Sequence, residues 1–154
     1  MRRLSAVPAV ALVVLGAVAC GTNAPPGSTP APASALCSAS YEPRELVVSG
    51  PLYPPLPAAA EGTRGEDRST DAAAIKKVAA AACALPEPPS DPICTADMGP
   101  SYRLRFVDTQ GRTTTLTAGD FGCRFVEGLG TPRVDAKPLW AALAAAGLPA
   151  PRAR

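Results

Sequence analysis

The pattern of apolar and polar residues predicts an antiparallel meander in the second half of the chain. Residues 101–107 alternate strictly, with Tyr102, Leu104 and Phe106 on one face and Arg103 and Arg105 on the other, which is typical of a half-buried strand. Residues 108–112 include Gly111 and predict a turn. Residues 113–118 form the return strand. Residues 121–127 predict a third strand that carries Phe121, Cys123 and Phe125 on one face.

Helical periodicity predicts two helices. The first covers residues 70–85, with Ser69 or Thr70 as N-cap, Asp71 beside the positive helix end and Pro86 closing it. Its apolar face comprises Ile75, Val78, Ala79, Ala82 and Cys83. The second covers residues 135–146, is capped by Asp135 and ends before Gly147. Its apolar side comprises Leu139, Trp140 and Leu143.

Before the first helix, residues 44–49 predict a strand that ends at Gly50-Pro51, and residues 51–68 predict a loop. The predicted fold class is therefore α+β: a small antiparallel β-meander packed with two helices. We expect one globular domain over residues 36–150, followed by a disordered tail over residues 151–154.

The N-terminus has the organisation of an export signal. Arg2 and Arg3 precede an apolar run over residues 4–19, which is too short for a permanent membrane span. Ala17-Val18-Ala19 followed by Cys20 resembles a lipobox, although Ala17 stands where that family prefers leucine. The resemblance implies removal of residues 1–19 and lipid attachment to Cys20. The alternative is an ordinary secretory signal, which would leave Cys20 as an unpaired thiol.

Residues 20–35 carry no charge and no aromatic side chain and are rich in proline and alanine, so we expect the lipidated cysteine to be followed by a disordered tether. Without residues 1–19, Lys+Arg falls from 15 to 13 and equals Asp+Glu. A neutral chain of this kind has no basic surface for nucleic acid. The expected partners are the membrane, through the lipid, and an envelope or extracellular protein.

The four remaining cysteines predict two disulfides, because an even set in an exported chain usually pairs. Loop-closure entropy does not separate the three connectivities. Cys94 precedes the meander and Cys123 lies in its predicted third strand, so a bond between them would clamp the open edge. This favours Cys94 with Cys123 and, by exclusion, Cys37 with Cys83. A Cys83–Cys94 bond is one alternative, and a zinc site with four cysteine ligands is another, although no Cys-x-x-Cys pair is present.

Known catalytic patterns are missing from the sequence. The chain contains no histidine, the most common general base and metal ligand. Ser69 with Lys76 has generic helix-start spacing rather than the pattern of a Ser-Lys dyad. Clustered carboxylates are explained by solvation and helix capping better than by a glycosidase-type pair; they are Glu61, Glu66, Asp67 and Asp71. We expect no enzyme activity, no cofactor and no metal.

Two resemblances cover the second half of the chain. The run from Cys94 through residue 106, Asp108-Thr-Gln-Gly-Arg112, and residues 120–126 with Gly122-Cys123 look like small actinobacterial exported proteins and lipoproteins, a family without an assigned activity. The order of helix, cysteine, hairpin and cysteine is also similar to subtilisin-inhibitor-like proteins. That second resemblance implies an inhibitor loop with its primary specificity residue near Ala96; the loop comprises Cys94, Thr95, Ala96, Asp97 and Met98.

Together these observations predict a lipid-anchored protein on the outer face of a cell membrane, with a non-enzymatic binding or scaffolding role. One alternative is proteinase inhibition, which requires the loop from Cys94 to Met98 to be exposed and rigid. Another is small-ligand binding, which requires a closed apolar pocket near Tyr102, Phe106 and Trp140.

Overall fold

The computed structural model describes residues 34–53 and 65–151, which form a five-stranded antiparallel sheet and two helices. The α+β class predicted from the sequence is confirmed. The predicted signal peptide, the lipid site at Cys20, nearly all of the tether, Glu61 and all but the first residue of the tail lie outside the described residues.

The strands are β1 (Pro43–Leu52), β2 (Glu66–Ser69), β3 (Ser101–Asp108), β4 (Thr113–Gly119) and β5 (Val126–Glu127), in the spatial order β2-β1-β3-β4-β5. The last three are the predicted meander. β3 shows the predicted alternation, with Tyr102, Leu104 and Phe106 buried. The sheet is larger than predicted because β1 pairs with β3 and β2 adds an edge to β1.

The prediction for residues 50–69 was wrong at both ends. β1 does not stop at Gly50-Pro51 but continues to Leu52 after a register shift beyond Ser49. The end of the predicted loop is β2, which pairs with β1 between Leu46 and Ser49. All four residues of β2 are polar, so the strand pairs with β1 through backbone hydrogen bonds. It therefore shows no alternation of apolar and polar residues from which a strand could be predicted.

The predicted third strand of the meander was also too long. Only Val126–Glu127 is extended, and residues 120–125 form an irregular turn. Gly122 and Arg124 take left-handed backbone conformations, with φ of 55° and 51°, and such residues interrupt a strand. Phe121, Cys123 and Phe125 therefore do not share a strand face.

The first helix, α1, covers Ala72–Cys83 and is capped by Asp71 rather than by Ser69 or Thr70. The Asp71 carboxylate accepts from the amides of Ala73 and Ala74 at 2.9 and 3.1 Å. Pro86 does not mark the helix end, because α1 stops at Cys83 with Ala84 as its C-cap. The predicted apolar face is confirmed for its four buried members, Ile75, Val78, Ala79 and Ala82.

The second helix, α2, covers Lys137–Ala145 and differs from the prediction at its start. Ala136 is the N-cap and no side chain caps the helix. Asp135 lies one residue earlier with a φ of 55°, so its carboxylate is not used as the predicted cap. Leu139, Trp140 and Leu143 are buried as predicted.

Both helices contribute side chains to a core on one face of the sheet. Its largest buried side chains include Phe106, Leu46, Ile75, Leu104, Leu116, Leu139 and Leu143. Burying each of these is worth about 1.5–3 kcal/mol. The ring of Tyr102 packs against that of Trp140 with centroids 5.2 Å apart. This packing buries one face of the sheet, and the exposed large apolar side chains lie outside the core.

Two disulfides join the elements, Cys37 to Cys83 and Cys94 to Cys123. These are the pairs that the sequence favours. The first ties the short 3-10 helix Ala35–Cys37 to the end of α1. The second ties the segment before β3 to the turn after β4. With all four sulfurs in disulfides, none of them is a thiolate ligand for zinc.

Candidate functional site: an exposed loop at one end of the sheet

The predicted inhibitor loop, residues 94–98, lies at the end of the sheet where β1 and β4 finish and β3 begins. Thr95, Ala96, Asp97 and Met98 are exposed. The large hydrophobic side chains that are exposed within the described part of the chain are Tyr53, Ile93 and Met98, at 56%, 98% and 80%. Tyr53 follows the end of β1, Ile93 directly precedes the loop and Met98 is its last residue, so all three belong to this end of the molecule. We call Tyr53 and residues 93–98 the end surface.

The loop is fixed at its start by the Cys94–Cys123 disulfide, in which the two Cα atoms are 5.0 Å apart. Past the end of the loop, the amide of Asp120 donates to the carbonyl of Pro100 at 2.9 Å. The same turn, residues 120–123, thus holds the segment on both sides. A loop held in this way loses less conformational freedom when a partner binds it.

Asp97 adds a third attachment in the middle of the loop. One oxygen of its carboxylate accepts from the amide of Gly122 at 3.0 Å and from the hydroxyl of Thr95. The hydrogen bond from Thr95, followed by that from Gly122, lowers the pKa of Asp97 below its usual value. Because Thr95 and Asp97 are joined across Ala96, the backbone of Ala96 is held while its methyl group faces solvent.

Two glycines allow the loop and the turn to approach closely. A side chain at Gly99 would place its Cβ 2.9 Å from the Cβ of Phe121. Gly122 has a φ of 55°, and a Cβ there would lie 3.4 Å from the carbonyl oxygen of Thr95. The loop support therefore depends on residues with no side chain as well as on hydrogen bonds.

The aromatic residues considered for a ligand pocket form part of the core. Tyr102 and Trp140 are in ring contact, and Phe106 is fully buried in the same core cluster. Neither of two surface grooves, one beside Cys37–Cys83 and the other beside Cys94–Cys123, is lined by these three residues. Within the described residues, these three side chains are packed in the core cluster.

The residues considered for a Ser-Lys dyad or a carboxylate pair make other contacts in the structure. Lys76 pairs with Glu42 at 2.9 Å, and the Ser69 hydroxyl accepts from the amide of Asp71, so the two do not contact each other as a dyad. Glu66 accepts from Ser49 at 3.4 Å on the sheet surface.

Within residues 34–53 and 65–151, His, Cys, Asp and Glu form no group of three or more suited to a metal ion. No helix in those ranges is long and apolar enough to span a membrane.

Two features of the end surface were not predicted from the sequence: the hydrogen bond from Gly122 to Asp97 and the position of Tyr53. Asp97 was named as a loop residue, but its bond to Gly122 joins positions 25 residues apart and depends on the folded turn. The spacing Thr95-x-Asp97 is the local signal that suggests a side-chain contact across Ala96. Tyr53 has no such signal, because its place at this end follows from the unpredicted extension of β1.

Comparison of the chain with family models, with curated proteins and with solved structures gave no significant match.

Proposed function

We propose that this chain is an exported lipoprotein that binds another protein at the outer face of the cell membrane and has no enzyme activity of its own. The lipid anchor at Cys20 is supported by the small residues before that cysteine and by the uncharged, proline-rich segment after it. The absence of histidine from the sequence supports the non-enzymatic role.

The end surface supports the choice of protein binding. Exposed large apolar side chains gathered at one end of a small domain mark interaction sites, and Tyr and Met are enriched at protein interfaces. Met98 lies on a loop that is tied down by a disulfide and by Asp97, and Ile93 directly precedes that loop, so binding orders little additional backbone. The single observation that carries the proposal is this combination of apolar exposure and backbone restraint.

A photoreactive residue in place of Met98, in the full-length protein on the membrane, tests the binding role. We expect a defined adduct from position 98 and none from position 77, where Lys77 is exposed on α1. Loss of the adduct after Ile93→Ser would show that the end surface makes the contact. Equal adducts from both positions, or none from position 98, would contradict the proposal.

The anchor has a separate test. Intact mass of the membrane-extracted protein, with and without reductant, reports lipid on the new N-terminus and the number of disulfides together. We expect the Cys20→Ala protein to leave the membrane fraction. An unmodified cysteine at position 20 in the native protein would remove the anchor from the proposal.

A second candidate function is substrate-like inhibition of a serine proteinase, with the bond between Ala96 and Asp97 presented to the enzyme. It is favoured by the restraint on both sides of that bond, because an inhibitor loop must fit the active site while resisting the rearrangement that completes cleavage. The resemblance to subtilisin-inhibitor-like proteins agrees with this candidate. A small primary specificity residue such as Ala96 suits enzymes that accept small side chains, such as subtilisin.

Titration of the full-length protein against subtilisin and trypsin distinguishes the two candidates. The inhibitor role predicts stoichiometric inhibition of subtilisin and a shift in preference toward trypsin in Ala96→Lys. Binding to a non-proteinase partner predicts no inhibition of either enzyme. Rapid cleavage after Ala96 in the oxidised protein would exclude the inhibitor role.

A further inference from the structure

A groove lies beside the Cys94–Cys123 disulfide, on the side of the end surface that carries Ile93. Its volume is about 290 Å³, just below the range for small-molecule sites (~300–1,000 Å³), so it suits a side chain of a partner better than a whole drug-sized ligand. Most of its wall is apolar, formed by Pro89, Pro92, Ile93 and Val134. Gly122 and Cys123 also line the groove, together with two charged residues, Arg124 and Asp135.

The two charges are not equivalent. The Arg124 guanidinium forms an ion pair with the Asp120 carboxylate, which lies 3.5 Å from its Nε. Asp135 is exposed and forms no ion pair with any residue in ranges 34–53 and 65–151. It also does not cap α2. The groove therefore presents one carboxylate without an ion-pair partner, in a mostly apolar wall and beside an arginine that already has a partner.

The backbone holds this carboxylate at the groove. Asp135 and Arg124 both take left-handed conformations, with φ of 55° and 51°. Backbone hydrogen bonds join the two segments: the amide of Asp135 donates to the carbonyl of Cys123 at 3.1 Å, and that of Ala136 to Arg124 at 3.3 Å. Arginine disfavours this conformation, so the surrounding structure holds the turn at Arg124. Aspartate adopts it more readily, which suits Asp135 to its position.

We propose that the groove receives a lysine or arginine side chain of the protein that binds the end surface. The aliphatic stem would pack against the proline and valine walls while the cationic group pairs with Asp135. The proposal rests on the proposed binding function and adds the chemistry of one contact: the partner presents a basic side chain next to the segment that covers Ile93 and Met98.

The basic-side-chain contact can be tested on the full-length protein in detergent. The probe is Nα-acetyl-lysine methylamide, whose side-chain ammonium group is free. We expect this probe to shift the amide NMR signals of Gly122 and Asp135, and acetyl-norleucine methylamide, which lacks the charge, to shift them far less. Asp135→Asn should weaken lysine-probe binding about fivefold, the upper value for one exposed ion pair. Asn tolerates the left-handed conformation, so the variant should fold.

Asp91→Asn is the matched control, because Asp91 is an exposed carboxylate on the connection between α1 and β3 and does not line the groove. Equal shifts from the two probes, or equal weakening in the two variants, would overturn the inference. If the Met98 adduct forms and Asp135→Asn leaves its yield unchanged, the groove inference fails and the binding role stands. If the lysine probe binds as expected but no adduct forms from Met98, the binding role fails while the chemistry of the groove stands.

Discussion

At the residue scale, two carboxylates hold backbone segments that no strand or helix orders. Asp97 fixes the exposed loop to Gly122. Asp108, which is 3% exposed at the end of β3, accepts from the amides of Gln110 and Arg112 at 2.9 Å and from the Arg112 side chain at 2.6 Å. Each carboxylate does this as the charged form, so each makes part of the structure sensitive to acid.

Asp97 should control the loop at low pH. A carboxylate whose folded pKa is lowered gives stabilisation that is present above its usual pKa and lost as the pH falls through the lowered value. We therefore expect the Gly122 amide signal to titrate with a midpoint below 3.8, the usual pKa of this side chain. Asp97→Asn should remove that titration. A midpoint above 3.8 in the unmodified protein would contradict the assigned hydrogen bonds.

Asp108 should affect the stability of the whole domain. Burial raises its pKa, but the hydrogen bonds from the side chain and amide of Arg112 and from the amide of Gln110 outweigh burial and lower it. The melting temperature should therefore fall as the pH drops through values below 3.8. Asp108→Asn should melt at lower temperature near neutral pH and show a smaller acid-dependent decrease. If the melting temperature of this variant falls with decreasing pH as much as that of the unmodified protein, groups other than Asp108 cause the decrease.

At the scale of elements, the two helices begin in different ways. Asp71 caps α1 with two hydrogen bonds, whereas α2 begins at Lys137 without a side-chain cap. Pro138 stands in the first turn of α2, where a missing amide removes no helical hydrogen bond. Burial of Leu139, Trp140 and Leu143 holds α2 in place of a cap.

Substitution of the two aspartates should expose this difference. Asp71→Ala should lower the free energy of unfolding by about 1 kcal/mol, the usual effect of losing an N-cap. Asp135→Asn should change it by less than about 0.5 kcal/mol, because no cap is lost. Urea unfolding of the two variants measures the contrast. A larger loss in Asp135→Asn than in Asp71→Ala would mean that the capping roles are reversed.

The sequence predicts those elements in which buried side chains alternate along a strand or recur along one face of a helix. β3 and the apolar face of α1 are of this kind, because Leu104 or Ile75 must face the core wherever the element lies. β2 could not be predicted, since its polar residues pair only through the backbone. The turn over residues 120–125 could not be predicted either, because Arg124 adopts a left-handed conformation that its residue type disfavours. The bond from Gly122 to Asp97 depends on that turn.

At the scale of the whole molecule, the two disulfides divide the fold into covalent loops. Cys37–Cys83 encloses β1, β2 and α1, over 46 positions. Cys94–Cys123 encloses β3 and β4, over 29 positions. β5 and α2 lie outside both loops. The first bond joins the start of the domain to its first helix, and the second supports the end surface.

The two bonds should therefore differ in what their removal affects. Replacing Cys37 and Cys83 by alanine should lower the free energy of unfolding by about 4 kcal/mol, and replacing Cys94 and Cys123 by about 3.6 kcal/mol, from loop-closure entropy. Only the second pair should also increase cleavage of residues 94–98 by an added proteinase under native conditions. Limited proteolysis at temperatures where both variants stay folded measures this. Equal protection of the loop in both variants would show that Asp97 and Pro100 suffice to hold it.

The covalent loops also determine how the domain responds to tension. If the chain is pulled from its two termini, the load passes across each sulfur bridge and bypasses the residues between the bridged cysteines. The four strands that build most of the sheet then carry no stretching force along their backbones, and only β5, α2 and the connecting segments can be drawn out. A protein held to a surface by its N-terminal end would keep β1 with β2, and β3 with β4, inside closed covalent loops under a force that draws out its last helix.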